Sequence, residues 1–191
     1  MKKTVLMMAI GLAVCAAAFA QYPKDRTGIG IIGGGGGGYL GGVGSGYGDV
    51  GLSLKLKNFP VFWGVFVQPA VGFTGLRVTG DFYFLNENMV SNTMTDGDGY
   101  TYDLNIDWFI GVGAFTNILF WSGGSPGFAV GGRVPLGLSW RIDRMGRFEL
   151  ALAVVPGLGT YIGHLDSGTP LYFTVGGELA IRHWFASGKG E

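Results

Sequence analysis

Leu171–Phe185 reads LYFTVGGELAIRHWF, and its side chains alternate between two kinds along the whole segment. One set is almost entirely apolar: Leu171, Phe173, Val175, Gly177, Leu179, Ile181, His183 and Phe185. The other set carries the charges: Tyr172, Thr174, Gly176, Glu178, Ala180, Arg182 and Trp184. Because successive side chains of a β-strand point to opposite faces, this period of two predicts a strand with one apolar and one polar face.

The same alternation recurs in seven earlier segments. They lie at about residues 27–34, 50–57, 61–71, 76–84, 103–112, 128–141 and 148–158. We find no helical period after residue 20 and no domain boundary. The count of eight is even, as it is in single-chain bacterial membrane barrels. The chain after residue 20 gives about 21 residues for each strand and its connection, which is enough for membrane strands of about 9–11 residues. The pattern predicts one all-β domain of eight antiparallel strands.

The amino-terminal residues predict an export signal at 1–20, followed by a barrel domain at 21–191. Lys2 and Lys3 give a basic start, residues 5–20 carry no charge, and Ala-Phe-Ala at 18–20 is a suitable cleavage site. Sixteen residues are short for a membrane helix of about twenty. Val14 before the only cysteine, Cys15, argues against lipidation. The exported chain would have no cysteine, which excludes disulfides and thiolate chemistry, and we expect no cofactor and no metal site.

The amino-acid composition indicates whether the chain works in water, on nucleic acid or in a membrane. Without Lys2 and Lys3 the 13 basic residues fall to 11 against 13 acidic ones, a net charge of −2, and no basic run suggests a nucleic-acid partner. The chain is 48% hydrophobic and only 14% charged, with a mean hydropathy of +0.35. After residue 20 no eighteen-residue apolar run could form a membrane helix. The other structure that crosses a bilayer is a closed β-barrel, so we predict an eight-stranded antiparallel up-and-down transmembrane β-barrel in the outer membrane.

A glycine-rich stretch near the start, GIGIIGGGGGGYLGGVGSGYG from residue 28, first suggests a nucleotide loop, since residues 28–33 fit G-x-G-x-x-G. That fingerprint needs a helix after the glycines and an acidic residue at the end of the next strand. Six consecutive glycines cannot begin a stable helix, and Asp49 precedes the second strand. We interpret the stretch as small residues inside a narrow barrel, followed by an outer loop at 34–48.

The polar faces of the predicted strands collect charges of both signs. These residues are Lys55, Arg77, Arg133, Arg141 and Arg182, with Asp81, Asp107, Glu149 and Glu178. An eight-stranded barrel has room inside only for its own side chains, and buried charges need partners. We therefore predict a lumen plugged by ion pairs, with a gated conduit and carboxylate acid–base chemistry as alternatives. The short loop at 144–146 predicts Arg141 opposite Glu149.

The aromatic residues on the apolar faces indicate a membrane boundary. With the amino terminus in the periplasm, connections at 34–48, 72–75, 115–126 and 159–170 lie outside, and those at 57–60, 86–101 and 142–146 lie inside. An aromatic girdle would then lie near the periplasmic ends of the strands: Trp63, Trp108, Trp140, Phe148 and Phe185. The segment 86–101 is long for an inner turn, so it is either an insertion or a sign that the strand count is off by one.

Several stretches together resemble a known group of proteins. They are GIGIIGG at 28–34, GDFYF at 80–84, FAVGGRVPLGLSW at 128–140, ELALAVVPGL at 149–158 and GGELAIRHWF at 176–185. They are similar to small eight-stranded outer-membrane barrels of spirochaetes, a family of unknown function compared with the OmpX, OmpA and OmpW barrels. The last strand, with Gly177 and Phe185, resembles the signal read by the outer-membrane assembly machinery, although ASGKGE follows it. The resemblance implies an outer-membrane location and, in some relatives, binding of host proteins through surface loops. It implies no catalytic residue.

Three functions remain possible on the sequence. The first is a non-enzymatic structural or binding barrel whose outer loops offer contacts, namely Tyr39, Tyr47, Phe120, Trp121 and His164. Phe120 and Trp121 fit an anchor in the outer interface equally well. The second is a narrow conduit for small apolar molecules. Glycines at 28, 30, 111, 113, 131, 137 and 157 could leave it a cavity, or could relieve crowding beside arginines.

The third is a lipid acyl hydrolase using His164 and Ser167, since His, Ser and a carboxylate occur together at 164–167. A triad is defined by geometry, however, and Asp-Ser-Gly is also an ordinary turn. A soluble lipid-binding barrel is the alternative at the level of the fold, because a period of two does not say which face is outside. The aromatic girdle and the low charge content favour the membrane.

Overall fold

The structure, a computed structural model, describes residues 26–40, 43–70, 73–95, 97–99, 101–121, 126–142, 147–162 and 171–185. Nearly all of these residues lie in β-strands. The strands are β1 (Thr27–Leu40), β2 (Val43–Lys55), β3 (Val61–Ala70), β4 (Phe73–Thr95), β5 (Thr101–Trp121), β6 (Gly127–Arg133), β7 (Leu136–Ile142), β8 (Phe148–Ile162) and β9 (Leu171–Phe185). In the described part, no helix has the length and hydropathy to cross a membrane.

Strands β6 and β7 are two halves of one strand interrupted at Val134 and Pro135. Both halves pair with β5 on one side and with β8 on the other. The interruption is bridged, because Val134 N–H donates to Pro156 O at 2.9 Å and Gly111 N–H donates to the Pro135 carbonyl at 2.9 Å. Proline has no N–H to give the ladder, which explains the local break. The nine segments thus form eight barrel strands.

The sheet closes on itself through β1 and β9. Each strand pairs antiparallel with its neighbours in sequence, and β1 pairs with β9 from Thr27↔Phe185 to Leu40↔Tyr172. Closure leaves the barrel no open edge, as a spanning sheet requires. The prediction of an eight-stranded antiparallel barrel is confirmed. We call the end that carries Thr27 and Phe185 the terminus end, and the opposite end, which carries the connections after Leu40, Ala70, Trp121 and Ile162, the distal end.

The predicted loop at 34–48 is wrong over most of its length. Strand β1 continues through the glycines to Leu40 and pairs with β2 up to Leu40↔Val43. The same glycines pair with β9 on their other side. Glycine is a weak strand former. The ladders on both sides nevertheless give each of these glycines hydrogen-bond partners for its backbone N–H and C=O groups, and the hydrocarbon of a bilayer could not supply such partners.

The described residues of the segment 86–101 belong to a β-ribbon rather than to a short turn. Pairing of β3 with β4 ends at Val61↔Phe82, whereas β4 and β5 remain paired to Thr95↔Thr101, with irregularities in register between Tyr83 and Leu85 and between Asn88 and Val90. Residues 87–95 are exposed. The ribbon projects from the terminus end, so the predicted strand count needs no change.

Burial alternates along the strands, with charges inside and large apolar side chains outside. Arg133, Glu178 and Arg182 are buried, whereas Leu52 and Leu152 are 63% and 57% exposed. The apolar part of the interior centres on small and aromatic side chains: Ile32, Phe66, Phe109, Ala151, Ala153, Val155 and Ala180. A soluble lipid-binding barrel would have the opposite polarity, so this arrangement contradicts that alternative.

Candidate functional site

The middle of the lumen holds a chain of five charged side chains from four different strands. Arg77 Nη2 lies 2.5 Å from Asp49 Oδ2 and 2.9 Å from Glu178 Oε1. Glu178 also accepts from Arg133, whose Nη2 lies 2.5 Å from Glu178 Oε2 and whose Nε lies 2.9 Å from Asp81 Oδ1. All five are buried. We call this chain, Asp49–Arg77–Glu178–Arg133–Asp81, the central network.

The guanidinium of Arg77 is also held by aromatic rings. Its Cζ lies 4.1 Å from the ring centroid of Phe66 and 5.7 Å from that of Tyr47. A cation over a desolvated ring face is attracted by the ring quadrupole. The two rings and the two carboxylates together fix the position of Arg77, whose side chain reaches across the lumen from β4 to contact Glu178 on β9.

A second set of polar contacts fills the lumen nearer the terminus end, centred on the carboxylate of Glu149. This group accepts hydrogen bonds from Ser139 Oγ at 2.7 Å and Trp184 Nε1 at 2.9 Å, and Arg182 Nη1 lies 3.2 Å away. Arg182 Nε in turn donates to Ser53 Oγ at 2.8 Å. Hydrogen bonds that complete an ion pair offset the cost of burying it. We call these five residues the lower network.

Arg141 lies at the terminus mouth of the lumen. The prediction that it sits opposite Glu149 is confirmed by the strand register. Its ion pair, however, is with Asp107, which also accepts from Asn88 Nδ2 at 3.1 Å. The carboxylate of Glu149 is occupied by the contacts of the lower network, so Arg141 on β7 pairs instead with Asp107 on the neighbouring strand β5.

Lys55 lies at the same end and has a different environment. Its Nζ donates to the Leu56 carbonyl at 2.9 Å and lies 5.8 Å from the ring centroid of Phe62. The structure thus places all nine predicted lumen charges inside or at the mouth of the barrel, in separate groups.

Sequence reasoning missed Asp49 as a member of the lumen. Its spacing from the glycines suggests only the acidic partner of a nucleotide loop. Asp49 is in phase with Gly51, Ser53 and Lys55 on the inner face of β2, and it is 7% exposed. Extending the period of two by one step would have found it. The predicted outer connection at 115–126 is wrong up to Trp121, which ends β5, and Asn117 within it is a buried lumen residue.

Aromatic rings fill the terminus half of the lumen. Tyr83 lies between Phe62 and Phe109, with ring centroids 4.6 Å apart on each side. The ring of Trp184 meets Phe62 edge-on at 6.2 Å. Stacked and edge-on rings at these distances attract each other beyond their burial. The rings close the lumen on the terminus side of the central network.

The inner glycines make room for these rings. A Cβ at Gly28 would lie 3.0 Å from the ring of Trp184, and one at Gly137 would lie 2.6 Å from Phe109 Cζ. The sequence allows these glycines either to leave a cavity or to relieve crowding beside arginines. At Gly28 the crowding is aromatic, and at Gly137 it comes from the Leu152 carbonyl as well as from the ring of Phe109. Small cavities lie among the described residues, one of about 20 Å³ near Ser53 and Tyr83 and one of about 10 Å³ near Gln68 and Asn117. Each is close to the volume that one water needs.

Gly131→Ala is expected to destabilise the barrel, whereas Gly132→Ala on the same strand is not. A Cβ at Gly131 would lie 2.6 Å from Gly159 Cα and 2.8 Å from Phe115 Cζ, but at Gly132 the nearest atom is Gly113 O at 3.8 Å. Overpacking of this kind costs about 1–3 kcal/mol. Urea unfolding in detergent micelles measures the difference. Equal midpoints for both variants would contradict the packing described.

The girdle residues lie on the outer wall near the terminus end. Trp63, Trp140, Phe148 and Phe185 are exposed and Trp108 is half-buried. Trp63 stacks on Phe59 with ring centroids 6.3 Å apart. His183 packs edge-on between two girdle rings, 5.0 Å from Phe148 and 4.8 Å from Phe185.

Of the five residues predicted to make contacts from outer loops, one is exposed near the distal end and one points into the barrel. Phe120 is 52% exposed near the distal end. Tyr47 is not in an outer loop: it belongs to β2, and its hydroxyl lies 2.9 Å from Thr174 Oγ1 inside the barrel. The side chains of Tyr39 and Trp121, the whole of His164 and Ser167, and the export signal at 1–20 lie outside the described residues. The structure therefore does not bear on the hydrolase hypothesis.

No metal centre is found in the part of the chain that the structure covers. Within those ranges no three His, Cys, Asp or Glu side chains come together in a way that could hold a metal ion.

Comparisons with known proteins give only distant likenesses. No protein-family model matches the chain, and no curated protein is similar to it in sequence. Among solved structures, the Neisserial surface protein A (NspA) is similar over 83% of this chain and 97% of its own, with 9% identity and a TM-score of 0.48. The attachment invasion locus protein Ail of Yersinia pestis is similar over 84% of this chain and 98% of its own, with 12% identity and a TM-score of 0.38. At these values the likenesses do not decide what this chain does.

Proposed function

We propose that this chain is an integral outer-membrane β-barrel without enzymatic activity, with a plugged lumen and a structural or surface-binding role. The observation that carries the proposal is the inverted polarity of the barrel. Charges lie inside in paired networks, while large apolar side chains cover the outer wall. A closed sheet with an apolar outer band and an aromatic girdle is the form in which strands cross a bilayer.

The outer wall is too apolar to be explained by scattered surface residues. Outward-facing neighbours such as Leu152 and Leu179, which are paired across β8 and β9, are both about half exposed. Similar side chains surround the barrel: Ile31, Val50, Leu52, Val65, Val67, Val112, Val130, Leu136, Leu138, Val154, Val175 and Ile181. Soluble monomers rarely expose contiguous apolar patches above a few hundred Å². A band around the whole circumference suits lipid.

The filled lumen supports a plug rather than the conduit for small apolar molecules. The central network crosses the lumen and aromatic rings fill the terminus half, and the cavities near Ser53 and near Gln68 are each close to the size of one water. Passage of a molecule larger than water would require breaking the contacts of Arg77, Arg133 and Glu178 together. We expect no steady conductance when the protein is inserted into a planar bilayer.

The distal connections are the proposed surface for host or other extracellular proteins, with Phe120 as the described aromatic residue beside them. Loops on a rigid scaffold commonly carry recognition. Insertion by the outer-membrane assembly machinery, the relation to spirochaete barrels and the periplasmic position of the terminus end belong to the same proposal.

Refolding tests the proposal directly. Residues 21–191 are refolded in detergent micelles and, separately, in plain buffer, and each sample is run unheated and boiled on a denaturing gel. We expect a heat-dependent change of mobility only with detergent, because a closed barrel resists unfolding until it is boiled. Compact, soluble β-structure formed without detergent would overturn the membrane assignment.

A further inference from the structure

The charges of this chain are distributed very unevenly along the barrel axis. Four segments pass over the distal end, at residues 34–48, 67–76, 108–132 and 150–177. Of the 11 basic and 13 acidic residues after residue 20, only Asp166 lies in them. These segments end at, or continue into, charged residues of the lumen: Asp49, Arg77, Arg133 and Glu178. The central network is therefore the last charged layer before the distal end, except for Asp166.

The distal wall is apolar up to its rim. Leu158 and Phe173 are paired across β8 and β9, and Phe128 lies on the adjacent strand; all three are exposed. Phe120 on β5 is exposed too, and its partner on β4 is the uncharged Thr74. A leaflet of phosphorylated, anionic headgroups is normally matched by Lys or Arg side chains. The distal segments contain none.

The terminus end, unlike the distal end, carries basic residues. Lys57 is exposed in the turn between β2 and β3, Arg147 is exposed just before β8, and Arg26 precedes β1. Acidic residues are present here too: Glu87 is paired with Trp108 of the girdle, whereas Asp98 lies in the turn at the far end of the β4–β5 ribbon. Basic side chains beside the girdle lie at the level of lipid headgroups.

We propose that the two ends of the barrel fit leaflets of different charge: the distal end a layer of headgroups with no net charge, and the terminus end an anionic phospholipid leaflet. The inference rests on the proposed membrane location. It goes beyond that location by naming the lipid chemistry at each end. The distal end would gain nothing from headgroup phosphates, whereas the terminus end would hold them through Lys57, Arg147 and Arg26.

Photo-crosslinking from matched positions tests this. A photoreactive phenylalanine (p-benzoylphenylalanine) replaces either Phe59, exposed beside Lys57, or Phe120 at the distal end. Each protein is refolded into vesicles of equimolar dioleoyl phosphatidylglycerol and phosphatidylcholine, and the captured lipids are counted by mass spectrometry. At position 59 we expect about five-fold or greater enrichment of phosphatidylglycerol, since one basic residue near an anionic surface contributes about 1 kcal/mol. At position 120 we expect the two lipids to be captured equally, within about two-fold.

Two variants serve as controls. Lys57→Gln should lower the enrichment at position 59, and so should high salt. Thr74→Lys places an ammonium beside position 120 and should create an enrichment there that the unmodified chain lacks. Equal enrichment of phosphatidylglycerol at both ends, or none at either, would overturn the inference while leaving the membrane barrel intact. Failure to fold into any vesicle, with no lipid captured, would instead overturn the proposed function.

Discussion

Arg133→Met is expected to lower the free energy of unfolding by about 3–5 kcal/mol, the cost of removing one partner of a buried ion pair. Arg133 contacts both Asp81 and Glu178, and all three side chains are buried. Methionine keeps most of the volume but leaves Asp81 without its arginine, while Glu178 retains Arg77. Urea unfolding in detergent micelles, followed by the heat-sensitive gel band, measures the loss.

Arg141→Met is the matched control, because the Arg141 side chain is 32% exposed at the terminus mouth. Solvent screens its pair with Asp107, so we expect a loss of no more than about 1 kcal/mol. A double variant, Arg133→Met with Asp81→Asn, should recover part of the loss, since it removes the stranded carboxylate. If Arg133→Met and Arg141→Met unfold at the same urea concentration, the central network does not hold the barrel together.

Leu179→Arg is expected to cost about 2–4 kcal/mol in a bilayer, the value for an arginine at the midplane on the lipid face of a barrel. Leu179 faces outward half-way between Phe173 and Phe185, and it is 47% exposed. The measurement is the folding yield in phosphatidylcholine vesicles at several urea concentrations. Phe185→Arg on the same strand lies at the girdle, where the cost falls to about 0–1 kcal/mol. Equal effects at both positions would contradict the placement of the bilayer along β9.

The alternation of side chains predicted the strands and their faces wherever both faces carry side chains. It fails in the glycine run at 33–38, because a residue without a side chain gives no period. It also fails in the β4–β5 ribbon, because residues 87–95 are exposed on both faces and their three apolar side chains, Met89, Val90 and Met94, do not alternate with the polar ones. The register of that ribbon is set by pairing with Thr101 onward, which local pattern does not reveal.

The lumen charges were predictable as a set but not as pairs. Which carboxylate meets which arginine depends on how the strands are staggered around the barrel and on where long side chains reach across it. Arg77 on β4 meets Glu178 on β9, on the far side of the barrel. The hairpin register alone would pair Arg141 with Glu149, whereas Arg182 and Trp184 reach Glu149 instead.

The central claim is that odd positions of β9 face lipid and even positions face a filled lumen. The chain from residue 21 has no cysteine, so Leu179→Cys and Ala180→Cys can each carry one spin label in vesicles. We predict that the label at 179 is accessible to oxygen, which dissolves in lipid, and not to a water-soluble nickel complex. The label at 180 should be shielded from both, since Ala180 is 2% exposed among packed side chains. High accessibility to the nickel complex at 179, or to oxygen at 180, would contradict the account.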